Sequence, residues 1–239
     1  MSARAISKWP KTFPPLSAEQ ERIRDDFVHA WHKELPNKYG AIERFNHGYP
    51  VRRAPGGFVH TLEIGAGLGE HLAYERLSPE QLRNYVALEL RPAMAAEISR
   101  THPACQVAVG DCQDRLAFDN GRFDRILAVH VLEHLPNLPA AVREMHRVIE
   151  KRRGQFEVVI PCEGGLAYAF ARRISAQRLF ERRYHQPYRW FIEREHINRP
   201  REILDVLCEY FTVEHREYYP LRVPSIHLNL VLGLSLRPR

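Results

Sequence analysis

Long hydrophobic runs are missing from this sequence. No segment approaches the roughly 18 consecutive apolar residues of a membrane span, the longest stretch being the interrupted run from Leu228 to Leu236. A soluble, cytoplasmic protein is therefore expected. Cysteine is sparse. Cys105, Cys112, Cys162 and Cys208 show no C-x-x-C spacing and close no short loops, which argues against a structural zinc site or a disulfide framework and fits reduced thiols. Neither sign of charge is in large excess: 35 Lys plus Arg stand against 29 Asp plus Glu, a formal net charge of +6. That balance favours anionic partners but falls well short of a dedicated nucleic-acid-binding tail. Internal repeats and low-complexity tracts are absent. With 239 residues, 44% hydrophobic and 27% charged, the composition excludes disordered, collagen-like and disulfide-stapled classes and allows one full domain with elaborations.

Met1 to Pro15 is basic and free of acids, and Pro10, Pro14 and Pro15 would interrupt an amphipathic helix there, so this segment reads as an extended, mobile arm. Ser17 and Gln20 then form an S-x-x-Q capping box, with Ile23, Phe27 and Trp31 on one face of the helix it opens. Pro36, Asn37, Gly40, Asn46, Gly48 and Pro50 punctuate a loop-rich connector that ends at Gly56-Gly57. Residues 1–57 are thus expected to form an arm, a helix and a connector, and 58–239 the main domain. Within that domain the strands expected are Phe58 to Ile64, Tyr85 to Leu90, Gln106 to Val109, Phe123 to Val129 and Phe156 to Ile160. Helices fit between them, opening near Leu68, after Pro92 and after Asn137. This alternation predicts an α/β, doubly wound, mainly parallel sheet with helices on both faces. A helix from Pro200 to Cys208 and two consecutive strands, Phe211 to Glu217 and His227 to Leu236, predict an antiparallel C-terminal hairpin.

The densest chemical signal is Thr61-Leu62-Glu63-Ile64-Gly65-Ala66-Gly67-Leu68-Gly69-Glu70-His71, a strand entering a glycine-rich turn. Such a turn brings backbone close to a ligand at the carboxyl edge of a sheet. The glycines fall G-x-G-x-G, and Glu70 stands where a dinucleotide fingerprint has its third glycine. Its charge would oppose a pyrophosphate, so NAD is disfavoured. Glu63 completes E-x-G-x-G-x-G, an acidic strand end suited to a ligand carrying an ammonium and a sulfonium. Glu89 lies twenty residues after Gly69, placed to accept from both ribose hydroxyls, and Asp111 ends the third strand, placed to accept from an adenine amino group. Solvated edge charges, or for Asp111 a turn that bonds its own backbone, are the plainer alternatives for each residue taken singly.

On these motifs the region from about Phe58 to Pro161 resembles the class I S-adenosylmethionine-dependent methyltransferases, in their broad small-molecule branch. The resemblance implies a Rossmann-like methyltransferase fold of seven strands, with the last antiparallel strand inserted, and S-adenosylmethionine as cofactor. It implies that Glu63, Gly65, Ala66, Gly67 and Gly69 line the methionine and ribose portion, that Glu89 and Leu90 hold the ribose, and that Asp111 and Cys112 flank the adenine. The connector before Phe58 and the basic, aromatic insertion at 163–203 fall outside it.

His130-Val131-Leu132-Glu133-His134 ends the fourth strand, beside the transferred methyl in that family. It also fits H-x-x-E-H, a zinc-protease pattern, but that pattern needs both histidines on one long helix, which Pro136 opposes. No metal is expected. His130, at the strand end, is a candidate cofactor contact and the candidate general base, with a strand-capping or packing role as the alternative. His134 is expected to bond backbone, and His196 to sit in a surface loop or to reach the acceptor. Pro161-Cys162 has the wrong context for a cytosine carbon-5 nucleophile, and no Asn/Asp-Pro-Pro-Tyr/Phe tetrapeptide follows the fourth strand to methylate DNA amines. Nine Arg and five Glu share the insertion from Glu163 to Ile203 with seven aromatics. Arg182, Arg183, Tyr184, Trp190 and His196 are its candidate substrate contacts, as a phosphate clamp with a stacking ring, an RNA contact or a lid with solvated arginines. The activity expected is methyl transfer to O or N of a small, anionic, phosphorylated or sugar-containing metabolite. A tRNA or rRNA methyltransferase and a non-catalytic S-adenosylmethionine-binding regulator are the alternatives.

Overall fold

A parallel sheet with helices on both faces buries its inner strands along their whole length. In the computed structural model this holds for β1 (Thr61–Ile64), β2 (Tyr85–Glu89) and β5 (Gln155–Pro161), which are buried at every residue. The structure describes residues 8–38 and 40–239, apart from the side chains of 29 and 31–38. Trp31 and the start of the Met1 to Pro15 arm therefore lie outside the described residues.

With β3 (Gln106–Val109), β4 (Arg125–Val129), β6 (Phe211–Tyr219) and β7 (Val231–Pro238), these strands form one seven-stranded sheet in the order β3-β2-β1-β4-β5-β7-β6. The first five pair in parallel, while β7 is antiparallel to both β5 and β6. This is the expected doubly wound sheet with its antiparallel C-terminal pair. The chain leaves β1 toward β2 and returns on the other side at β4, so the strand order reverses between β1 and β4. The crevice outside the carboxyl ends of those strands is where such sheets bind ligands.

In chain order the helices are α1 (Ala18–Lys38), α2 (Gly40–Arg53), α3 (Pro79–Arg83), α4 (Pro92–Thr101), α5 (Leu138–Val148), α6 (Leu166–Ile174), α7 (Ala176–Tyr184), α8 (Arg189–Glu195) and α9 (Pro200–Tyr210). α4, α5 and α9 each carry proline in the first turn, where its missing N–H costs nothing. α5 buries Leu138, Ala141, Val142, Met145 and Val148 completely, the three-and-four spacing of one apolar face.

Four expectations need correction. The connector punctuated by Pro and Gly is α2, held helical by burial rather than propensity. Tyr49 is fully buried, its ring lies where a Cβ on Gly233 would come within 2.7 Å, and its hydroxyl pairs with Ser235 Oγ at 3.0 Å and His215 Nδ1 at 3.2 Å. Arg125 Nη2 donates to the Pro50 carbonyl at 3.0 Å. Second, the helix expected near Leu68 is a single 3-10 turn over Glu70–Tyr74, because Ser78 and Gln81 cap a separate helix, α3, soon afterwards. Third, the last strand begins at Val231 instead of His227. Asn229 is fully buried and ties a loop together, accepting from Leu221 N and donating to the Val223 and Ser225 carbonyls. Fourth, the arm is anchored within its described part. Lys11 donates through its backbone to Pro136 O and through Nζ to Ile197 O at 2.7 Å and Glu202 at 3.0 Å.

The expected capping box at the start of α1 is present, Gln20 N donating to Ser17 Oγ and Ser17 N to Gln20 Oε1. Ile23 and Phe27 bury against the insertion, in one cluster with Ala176, Phe180, Tyr188 and Phe191. The Phe27 ring meets Phe180 and Phe191 edge-on, each at 5.1 Å between centroids. α1 and the helices of the insertion thus form a single apolar cap.

Candidate active site

A cavity of about 550 Å³ lies at the carboxyl edge of the sheet, within the range of small-molecule sites. Its lining runs from the glycine turn across β2 and β3 to the end of β4 and the underside of the cap.

The cofactor side is built largely from backbone. Gly65 has φ +64° and a Cβ there would stand 2.6 Å from Val131 Cγ2. Gly67, at φ +61°, would bring a Cβ to 2.8 Å from the Glu70 carboxylate. Both backbone conformations call for glycine, and at Gly65 the space does as well. Gly67 N–H donates to Glu89 Oε2 and Arg91 N–H to Glu89 Oε1, each at 3.0 Å, so the carboxylate at the end of β2 is fixed between two backbone donors. Leu90, next to it, keeps 59% of its surface exposed and, with Met94, lines the cavity, giving an apolar shelf beside the carboxylate. Glu70 Oε2 accepts from Leu68 N–H at 2.8 Å. A loop donor that a pyrophosphate would need is already engaged by a carboxylate, which supports the exclusion of NAD.

Glu63 and Asp111 both line the cavity, each with its carboxylate already engaged by a neighbour. The Glu63 side chain is tucked behind the turn, the residue 3% exposed, and accepts from Tyr85 O–H at 2.7 Å. Burial pushes its carboxyl up to about 8, against the pull of the Tyr85 hydrogen bond, so it is neutral through most of the neutral range. Asp111 accepts from Gln113 N at 2.8 Å and from the Gln113 amide at 3.0 Å, the self-bonding turn weighed above. Cys112 is buried, and burial pushes its thiol up to about 12, leaving an uncharged packing group. Cys162 behaves alike.

On the acceptor side, β4 ends at Val129 and His130 adopts φ +54°, its N–H donating to Val159 O at 2.9 Å. This left-handed residue turns the chain into a short 3-10 segment, Leu132–His134. Glu133 is fully buried and its Oε1 lies 3.1 Å from His130 Nδ1. Burial opposes the charge on Glu133, but His130, His134 and His196 outweigh it and hold the carboxyl down at about 2. For His130, burial lowers the affinity for a proton, and the Glu133 hydrogen bond and charge, with help from Glu43, reverse this and raise it. His134 bonds backbone as expected, Nδ1 lying 2.6 Å from Glu195 O, and burial holds it below the usual histidine range.

His196 is the one member of the expected substrate set that reaches the cavity. It belongs to no exposed surface loop. Its ring meets His134 edge-on at 5.1 Å and Nδ1 lies 3.1 Å from Glu163 Oε2. The other four lie elsewhere. Tyr184 donates to Asp26 at 2.6 Å and Arg183 pairs with the same carboxylate at 2.9 Å, Trp190 packs on Phe180, and Arg182 faces a shallow outer depression with Arg173 and Arg178. Of the insertion's arginines and aromatics, Arg172, Tyr168, Tyr188 and Phe191 are the cavity walls, joined by Phe27 from α1 and by Glu43 of α2, which sequence reasoning had not placed there. Arg172 Nη1 pairs with Glu163 Oε1 at 2.5 Å. Nothing in the spacing of the insertion distinguishes the inward Arg172 from its outward neighbours. Among the described residues, Glu133, His134 and His196 also bring three ligand-type atoms within 4.8 Å of one another.

Residues 62–156 match the family model of the methyltransferase domain. Over that segment the chain matches a methyltransferase domain, and its sheet has the fold of solved S-adenosylmethionine-dependent methyltransferases. Solved structures similar to this chain include a TehB-like SAM-dependent methyltransferase from Corynebacterium glutamicum, 15% identical, covering 92% of this chain and 100% of that one with a TM-score of 0.61. A 1,6-didemethyltoxoflavin-N1-methyltransferase from Burkholderia thailandensis, solved with 1,6-didemethyltoxoflavin and S-adenosylhomocysteine, is 18% identical over 95% of this chain and 93% of that one, with a TM-score of 0.58. The [4+2]-cyclase SpnF is 14% identical over 82% and 81%, TM-score 0.59. At such identities the likeness establishes the fold alone, so the reaction has to be argued from the site. No curated protein matches the sequence.

Proposed function

We propose that this protein moves a methyl group from S-adenosylmethionine to an oxygen or nitrogen of a small molecule held under the cap. The observation that carries the proposal is the fit of the cofactor side: a glycine turn with no room for a Cβ, a carboxylate fixed by Gly67 and Arg91 N–H groups at the ribose position, and an exposed apolar shelf at Leu90 for a flat ring. Glu89 would accept from the ribose hydroxyls, and Gly65 to Gly69 would face the methionine portion. Glu63 is better suited to bracing the turn through Tyr85 than to meeting the ligand's ammonium. When bound, S-adenosylmethionine supplies an electrophilic methyl group on a sulfonium.

The chain's own residues supply position and a proton acceptor. His130 lines the cavity with Nδ1 turned to Glu133, an arrangement that orients the ring and stabilises its protonated form, so that Nε2 serves as base for an acceptor hydroxyl or amine. Phe27, Tyr168, Tyr188 and Phe191 give the acceptor side apolar walls, which with the cap exclude water and hold the acceptor in line. The expectation of an anionic acceptor loses most of its residues, since the arginine of the insertion that lines the cavity is Arg172 and it is paired with Glu163. A neutral acceptor with a flat apolar body and one hydroxyl or ring nitrogen fits better.

A second reading, an RNA acceptor, is favoured by the outward arginines Arg173, Arg178 and Arg182. Methyl-labelled S-adenosylmethionine offered to phenols, N-heterocycles and transfer RNA separates the two. Label in a small molecule, lost at least about 100-fold in turnover for His130→Gln with S-adenosylhomocysteine affinity kept, is the expected result. Label in RNA with steeply salt-dependent binding would overturn the small-molecule reading.

A further inference from the structure

The H-x-x-E-H pattern fails as a zinc-protease helix, yet two of its residues meet a third ligand from far along the chain. Glu133 and His134 stand on the 3-10 turn after β4, and His196 enters from the loop between α8 and α9. Their ligand atoms fall within 4.8 Å of one another. We propose that Glu133, His134 and His196 bind one first-row divalent transition-metal ion, of the zinc class, at the floor of the acceptor cavity.

Three independent features support this. The first is the orientation of both imidazoles. A carbonyl only accepts, so the contact from His134 Nδ1 to Glu195 O at 2.6 Å places the ring proton on Nδ1. His196 Nδ1 is likewise held by a carboxylate oxygen, Glu163 Oε2, at 3.1 Å. With the proton held on Nδ1, each ring turns Nε2 away from that partner. Histidines that bind metals are typically held in this way, the distal ring N–H donated to a carbonyl or a carboxylate.

The second feature is an unpartnered carboxylate oxygen. Glu133 is fully buried, and while its Oε1 faces His130, its Oε2 is buried with no hydrogen-bond partner. Leaving a buried carboxylate oxygen unpartnered is unfavourable, and a coordinated cation would answer it. The third is donor chemistry. Two imidazole nitrogens and one carboxylate oxygen suit zinc, manganese, iron or cobalt better than the all-oxygen shells of calcium and magnesium. Three protein ligands leave a position open to an acceptor oxygen or nitrogen, as in catalytic zinc sites.

Ligand atoms around a tetrahedral zinc lie closer together than 4.8 Å, given bonds of about 2.0–2.1 Å, so binding has to draw the side chains inward. His196, on an inter-helix loop, is the natural member to move. Metal binding by these residues does not depend on the methyl-transfer reading, and its test uses no cofactor.

The test is calorimetric titration of the full chain, stripped with a chelator and desalted, with zinc chloride, and a parallel titration with cobalt chloride read by visible absorption. One ion per chain with micromolar or tighter affinity is expected, and cobalt should give the strong absorption of a low-coordinate nitrogen and oxygen site. His196→Ala should weaken zinc at least about tenfold and flatten the cobalt spectrum while keeping the circular dichroism of the parent. Exposed His227→Ala should change neither, and Glu133→Gln extends the test wherever it folds. The proposal is overturned if the folded parent takes up no zinc at one ion per chain, or if His196→Ala and His227→Ala bind it alike. S-adenosylhomocysteine affinity, measured on the same samples, reports separately on the cofactor side.

Discussion

The two sides of the cavity are assembled on different principles. On the cofactor side, three neighbouring parallel strands end in a glycine turn, a carboxylate and a self-bonded aspartate, and the ligand-directed groups all come from residues 62–113. On the acceptor side, the walls come from α1, α2, the end of β4 and the insertion, so that Glu43 and His196 serve one space from opposite parts of the sequence. The first side depends on backbone that accepts almost no alternative side chain. The second depends on side chains that a different insertion would replace. A fixed donor site joined to a variable acceptor site is what a fold hosting many acceptors needs.

The comparison can be broken by substitution. Gly65→Ala attacks the backbone itself, adding a Cβ 2.6 Å from Val131 at φ +64°, and should abolish S-adenosylhomocysteine binding in calorimetry, a loss of more than about 100-fold given ~1–2 kcal/mol of backbone cost before the clash. Glu89→Ala removes the acceptor for Gly67 and Arg91 N–H along with the ribose contact. About 10–100-fold weaker binding should follow, at ~1.5–3 kcal/mol for a charged hydrogen bond.

Glu63 tests whether the turn is braced from behind. Its carboxyl is raised to about 8 in the fold, against roughly 4.3 in an unfolded chain, so between those values the folded protein holds a proton that the unfolded chain has released. Its contribution is fully present below the unfolded value and is lost as pH rises through about 8. The slope from this one group approaches ~1.4 kcal/mol per pH unit at most. Glu63→Gln keeps an acceptor for Tyr85 O–H and should flatten the pH dependence of urea unfolding between pH 5 and 8, with only a small change in cofactor affinity. Should Glu63→Gln instead abolish S-adenosylhomocysteine binding, Glu63 meets the ligand directly and the bracing role is wrong. The smallest effect belongs to Arg182→Ala, on the outer face of α7, with less than about twofold change in cofactor affinity or small-molecule turnover.

What the sequence disclosed follows the same division. Strand-end carboxylates and glycine spacing are local signals, and three of the residues they single out, Gly65, Gly67 and Glu89, line the cavity. The sheet order was legible for a related reason, since apolar runs alternating with helices leave few connections open. α2 was illegible because Pro50 and the glycines argue for a loop, and only the burial of Tyr49 against Gly233 makes it a helix. Arg172 was illegible because its neighbours Arg173, Arg178 and Arg182 share its chemistry and differ only in which face of a short helix they occupy. His196 was named, but its meeting with Glu133 and His134 joins residues more than sixty positions apart, beyond the reach of any local pattern.

The account rests on the cofactor side, and calorimetric titration of the purified chain with S-adenosylhomocysteine, alongside NAD, tests it most directly. Micromolar binding of S-adenosylhomocysteine, weakened in Glu89→Ala and absent for NAD, is the predicted result. A folded protein that binds NAD, or that takes up no S-adenosylhomocysteine at all, would contradict it.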